Sequence, residues 1–69
     1  MTINVVSFEQ SEAIADASAF AHPEWTYHPR PYNRKRYPGA RKYSADAMAT
    51  FEFYVVRVAD ERGHWIGVL

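Results

Sequence analysis

Phe51–Leu69 reads FEFYVVRVADERGHWIGVL, and this stretch decides the fold. Phe51 to Ala59 is dense in β-branched and aromatic residues, which suit the pleated, half-buried surface of a strand. Asp60-Glu61-Arg62-Gly63 follows as a turn, with glycine where a hairpin loop needs a left-handed residue. His64 to Leu69 then returns as the partner strand. Side chains alternate along a strand, so Phe51, Phe53 and Val55 share one face and Tyr54, Val56 and Val58 the other. A strand apolar on both faces needs a cover on each.

Upstream, Thr2 to Phe8 (TINVVSF) reads as a further strand, interior to the sheet. Ser11 offers a hydroxyl to the free N–H groups of a new helix, and Glu12 and Asp16 place negative charge near its positive end. Ala13, Ile14, Ala17, Phe20 and Ala21 recur at spacings of three and four as its apolar stripe, and Pro23 stops the winding just past His22. Trp25 to His28 alternates as a short strand, and because Pro29 and Pro31 lack backbone donors, any pairing beyond His28 is expected at an edge or not at all. Arg30 to Arg41 has neither a helical nor a strand period, and Tyr37-Pro38-Gly39-Ala40 fits a type II turn. Ser44 caps a short helix running to Ala49.

These elements define an α+β fold: a three- to four-stranded, mainly antiparallel sheet, one principal helix on one face and a C-terminal β-hairpin. Residues 1–69 form a single domain, with a basic, Pro/Tyr-rich excursion at about 29–43. One helix covers one face of the sheet. The second face must meet the proline–tyrosine segment, a twin subunit or another protein. Phe8, Phe20, Trp25, Phe51, Phe53 and Trp65 are expected in the core.

With 69 residues and no cysteine, the chain has neither disulfides nor thiol chemistry, so its core must supply the stability. Cysteine-free composition fits a reducing, cytoplasmic setting. The longest apolar run, Phe53 to Val56, is far too short to span a membrane as a helix, and no basic-then-apolar leader opens the sequence.

The formal net charge of zero is a cancellation. Met1 to Glu24 carries Glu9, Glu12, Asp16 and Glu24 with no Lys or Arg. Trp25 to Ala45 carries Arg30, Arg34, Lys35, Arg36, Arg41 and Lys42 with no acid. Tyr27, Tyr32, Tyr37 and Tyr43 interleave with these cations. Guanidinium and ammonium groups neutralise phosphates and tyrosine rings stack on unpaired bases, so this segment is the candidate binding site. Its expected members are Arg30, Tyr32, Arg34, Lys35, Arg36, Tyr37, Arg41 and Lys42, with the two tyrosines supplying contact area. The opposing reading is a solvated connector whose bases pair with the protein's own acids while its tyrosines cover a small core. An acidic protein surface is also a suitable target, because arginine and tyrosine are enriched at protein–protein hot spots.

Catalysis has a poorer basis. His22, His28 and His64 lack the companion ligands and spacing of a metal site, and neither metal nor cofactor is expected. The three glycines are too dispersed for a Walker loop or dinucleotide fingerprint. A small ribonuclease would use His28 or His64 as base with arginine as phosphate clamp, but nothing in the sequence fixes that geometry.

In format the chain resembles the small anti-CRISPR proteins that phages and mobile elements deploy against bacterial defence. The shared features are a cysteine-free single domain, the opening strand TINVVSF, the alanine-rich helix SEAIADASAFA and the closing hairpin FEFYVVRVADERGHWIGVL. The resemblance implies a non-enzymatic inhibitor in the bacterial cytoplasm that docks on a nucleoprotein effector complex. The run RPYNRKRYPGARK departs from the acidic, DNA-imitating members of that group. It favours a basic arm touching nucleic acid or an acidic patch on the effector. A homodimer is compatible with the same features.

Overall fold

The computed structural model describes residues 2–69. The chain runs β1 (Ile3–Val5), α1 (Phe8–Ala21), β2 (Thr26–Pro31), β3 (Arg41–Tyr43), α2 (Ala45–Thr50), β4 (Tyr54–Ala59) and β5 (Trp65–Val68). β4 is central: it pairs antiparallel with β2 and with β5, and Tyr54 exchanges backbone hydrogen bonds of 2.8 and 2.9 Å with Val6. Leu69 N donates to Val56 O at 2.9 Å. Peptide groups two apart point the same way, so Val6 and β5 share one edge of β4 and β2 takes the other. β1 in turn pairs parallel with β3, from Ile3 opposite Arg41 to Val5 opposite Tyr43. The fold is α+β, with one main helix, a three-stranded antiparallel sheet, a two-stranded parallel pair and a C-terminal hairpin.

The hairpin turn forms where the sequence places it, but the first strand begins at Tyr54 rather than Phe51, which closes α2 instead. Gly63 takes φ +83°, and Asp60 Oδ1 accepts from the N–H groups of Arg62 and His64, each at 2.9 Å. A register shift between Val58 and Ala59 sets Ala59 opposite Trp65. β2 runs on through Pro29 and Pro31 as an edge strand, one of the two outcomes the prolines allowed. The reason is directional. Tyr32 N donates to Phe53 O at 2.7 Å, which puts the N–H groups of Arg30 and His28 toward β4 and the nitrogens of Pro29 and Pro31 on the open edge. There a missing donor removes no ladder bond, and it also blunts the edge against further pairing. The excursion therefore shrinks to residues 32–40, because β3 reclaims Arg41 to Tyr43.

The helix begins earlier than expected, and Ser7 rather than Ser11 is its cap. Ser7 Oγ accepts from Gln10 N at 3.3 Å, while the buried Ser11 hydroxyl donates back to Phe8 O at 2.6 Å. That phase also overturns the expected stripe. Ser11 and Ala15 are buried and Ile14 and Ser18 half-buried, whereas Ala13, Ala17, Phe20 and Ala21 face solvent. At about 100° per residue, Ala13 and Ala17 lie roughly 200° from Ala15, on the far side of the helix. Small buried residues let α1 approach β2 and β4 closely, and Phe8 sets its start, 5.1 Å from the Tyr54 ring. Ser44 caps α2 as expected, accepting from Ala47 N at 3.1 Å and donating to Gln10 Oε1 at 2.9 Å.

Valines fill the core where large aromatics were expected. Val5, Val55 and Val56 are among the fully buried side chains, while Phe8, Trp25 and Trp65 are exposed and only Phe53 is half-buried among the six candidates. Phe20 is 92% exposed and Phe51 83%. Phe51 closes α2 at φ +55°, in the left-handed conformation. The branched valines of β4 fill both faces of the strand, and the one ring buried against them is Tyr37.

Ser7→Ala is expected to lower stability by about 1 kcal/mol in urea unfolding, with Ser11→Ala costing less, since alanine fits that buried helical position. The reverse order would place the cap at Ser11.

Candidate functional site

Two layers cover β4. α1 lies on the Tyr54–Val56–Val58 face, as the Phe8–Tyr54 contact shows. On the other face Tyr37 packs with Val5 and Val55, joined by Ile3, Tyr32, Phe53 and Val68. Of the three covers the sequence allowed for this face, the proline–tyrosine segment is the one in place. Tyr37 is 8% exposed and anchors the loop.

That anchor fixes a short, rigid turn. Asn33 O accepts from Arg36 N (3.1 Å) and Tyr37 N (3.0 Å), and Asn33 Oδ1 accepts from Lys35 N (2.9 Å). The side chain imitates a backbone turn, so Arg34, Lys35 and Arg36 are displayed on an ordered frame with exposed side chains. Gly39 supplies the positive φ (+114°) that the expected turn needs, and Ile3 N donates to Ala40 O at 3.0 Å to tie the loop's end to β1.

Between this turn and the sheet lies an open cleft of about 520 Å³, lined by Arg30, Pro31, Tyr32, Asn33, Arg34, Arg36, Tyr37 and Arg57. No acid lines it. Five of the expected residues meet there: Arg30, Tyr32, Arg34, Arg36 and Tyr37. Lys35 stands on the same turn outside the cleft, and Arg41 and Lys42 belong to β3.

Arg57 is the member that sequence reasoning missed. It is the one charged residue within β4, flanked by Val56 and Val58, and its alternation with Val55 puts it on the loop-covered face. A cation inside an otherwise apolar central strand was the available signal. Its guanidinium carbon sits 4.0 Å from the Trp65 ring centre, and Arg30 lies 6.0 Å from the same ring. His28 meets Trp65 edge-on at 5.3 Å, with its Nε2 3.1 Å from Thr26 Oγ1.

The aromatic rings serve as supports. Tyr32 stacks on Tyr37 at 6.4 Å, meets Tyr43 edge-on at 6.2 Å and carries the Arg41 guanidinium at 5.7 Å. With Tyr37 buried and Tyr32 held between Tyr37 and Arg41, these two rings position the cations more than they offer contact area. The Tyr32 hydroxyl is shut off from solvent without a hydrogen-bond partner. Burial raises its pKa above the ordinary phenol value, Tyr43 adds to the rise, and the charges of Arg41 and Arg34 oppose it.

Among the described residues the one ion pair is His22 Nδ1 with Glu24 at 3.4 Å, and no Lys or Arg lies within 4.0 Å of a carboxylate. The cations are not folded back on the protein's own acids. Nor do the histidines gather: among the described residues no three His, Cys, Asp or Glu side chains are grouped to hold a metal ion. Likewise no helix among them is long and apolar enough to cross a membrane. No protein-family model, curated protein or solved structure matches the chain.

Tyr37→Ala should cost about 3 kcal/mol, close to the whole stability of a domain this small, and release the 33–36 turn. Tyr37→Phe should melt near the wild type. Circular dichroism melts compare them, and equal melting of all three would remove Tyr37 as the anchor.

Proposed function

We propose that this chain is a non-enzymatic binding protein that acts by occlusion, docking its arginine-rich face on a negatively charged partner. Arg30, Arg34, Arg36 and Arg57 form the centre of that face, and Lys35 on the same turn and Arg41 against Tyr32 adjoin it, whereas Lys42 alternates to the other side of β3. The observation that carries the reading is the absence, among the described residues, of any Lys–carboxylate or Arg–carboxylate pair, although the chain has as many acids as bases. Cations left unpaired on a turn ordered by Asn33 and Tyr37 lose little freedom on meeting a partner, which favours binding.

The format shared with anti-CRISPR proteins supplies the particular form of the proposal: the partner is a host nucleoprotein complex of the CRISPR effector kind, in the bacterial cytoplasm. Covering such a complex needs no chemistry, only a surface of complementary charge and shape. A ribonuclease reading has less support. His28 shares the cleft-bearing face with Arg30 and Arg57, but its Nε2 is engaged by Thr26 and its ring leans on Trp65.

Capture from a bacterial lysate with the tagged protein, followed by identification of the co-purifying proteins and RNA, tests the reading. A guide-loaded effector is expected, released by salt and missing from the Arg30→Gln/Arg34→Gln/Arg36→Gln variant; added protein should block its binding to target DNA. Recovery of bait alone, or of an effector that still binds its target, would contradict occlusion.

A further inference from the structure

Arg57 is placed at a cost that no hydrogen-bond acceptor inside the protein offsets. Its Nε is sealed from solvent and has no hydrogen-bond acceptor, and no carboxylate lies within 4.0 Å of any arginine among the described residues. The ring of Trp65 at 4.0 Å stabilises the cation but accepts no fork of hydrogen bonds. A buried donor left unmade carries its full desolvation penalty, and a neutral apolar residue at this strand position would avoid it. The Tyr32 hydroxyl is a second orphan in the same wall. Four arginines line one acid-free cleft of about 520 Å³, and two of its lining residues, Arg57 and Tyr32, carry buried donors without partners. An anion with several oxygen acceptors would pair with the guanidinium N–H groups that line the cleft.

We infer that this cleft seats the phosphodiester backbone of a nucleic acid, with Arg57 as its floor and Arg30, Arg34 and Arg36 as its walls. This deepens the occlusion reading and rests on it. A single carboxylate brings one charge and two acceptor oxygens, too little for four arginines. A nucleic-acid strand repeats its charge at every residue, and duplex DNA carries one charge per ~1.7 Å of axis. Arginine's planar fork grips phosphate through paired hydrogen bonds. Lys35 on the turn and Arg41, 5.7 Å from the Tyr32 ring, add positive charge next to the cleft. The two tyrosines of the lining are already stacked or buried, so the cleft reads backbone and not bases.

Fluorescence anisotropy with labelled single-stranded and duplex oligonucleotides of several sequences tests this, using polyglutamate of matched charge as competitor. Affinity should be indifferent to sequence and fall with salt at about −0.7 per single-strand phosphate contacted, a slope of roughly −2 to −3 for the cleft. Polyglutamate should compete at least about tenfold more weakly, and Arg57→Gln should lose about tenfold while Arg62→Gln, in the hairpin loop, changes little. Arg36→Gln, on the exposed turn, gives the same direction of change should Arg57→Gln fail to fold. Polyglutamate matching the oligonucleotide, or no oligonucleotide binding at low salt, would overturn the assignment. If an effector is nevertheless captured and blocked, occlusion stands and only the phosphate site falls.

Discussion

A central strand buried on both faces, in a chain with one substantial helix, is the constraint from which the rest of this structure follows. Val55 and Val56 are fully enclosed, yet α1 lies on the Val56 side only. The other side is closed by Tyr37 and Tyr32, which come from the most basic segment of the sequence. Covering the core and displaying the cations are therefore one structural act. The loop cannot leave without uncovering Val55, and it cannot cover Val55 without holding Arg34 and Arg36 over the cleft.

This coupling settles how the charge is carried. Arg30 and Arg57 both lean on Trp65, so their guanidinium carbons are at most about 10 Å apart. Two like charges at that distance repel by roughly 0.4 kcal/mol in water and several times more beside a protein surface. Arg34 and Arg36 add to the strain, and no carboxylate relieves it. Aromatic rings soften the repulsion by cation–π contact without neutralising the charge. The molecule keeps a concentrated positive face although its net charge is zero.

Much of this was legible in the sequence, for physical reasons that differ by element. The hairpin announced itself because β-branched residues, Asp60 and Gly63 agree on one geometry. The need for a second cover followed from alternation alone, as did the candidates for it. Whether β2 passed its prolines stayed open between an edge strand and none, because the sequence does not show which way the donorless nitrogens face. β3, at three residues, is too short to show a period. The helix phase went astray because alanine is apolar enough to mark a stripe yet small enough to be left outside, while Ser7 and Ser11 are both competent caps. Most of the cleft came from the basic run, but Arg57 lies in a different element, twenty residues and more away along the chain. Only the pairing of β2 with β4, which sets His28 opposite Arg57, brings it beneath Arg30.

The central claim is that the arginine face is uncompensated by the protein's own acids. The most direct measurement is the urea midpoint of the free protein at low chloride and again near ~1 M, where the screening length falls to about 3 Å. Repulsion among unpaired cations predicts that the midpoint rises as salt is added. A midpoint that falls, or stays flat, would mean that internal ion pairs already neutralise the face, and would contradict the account.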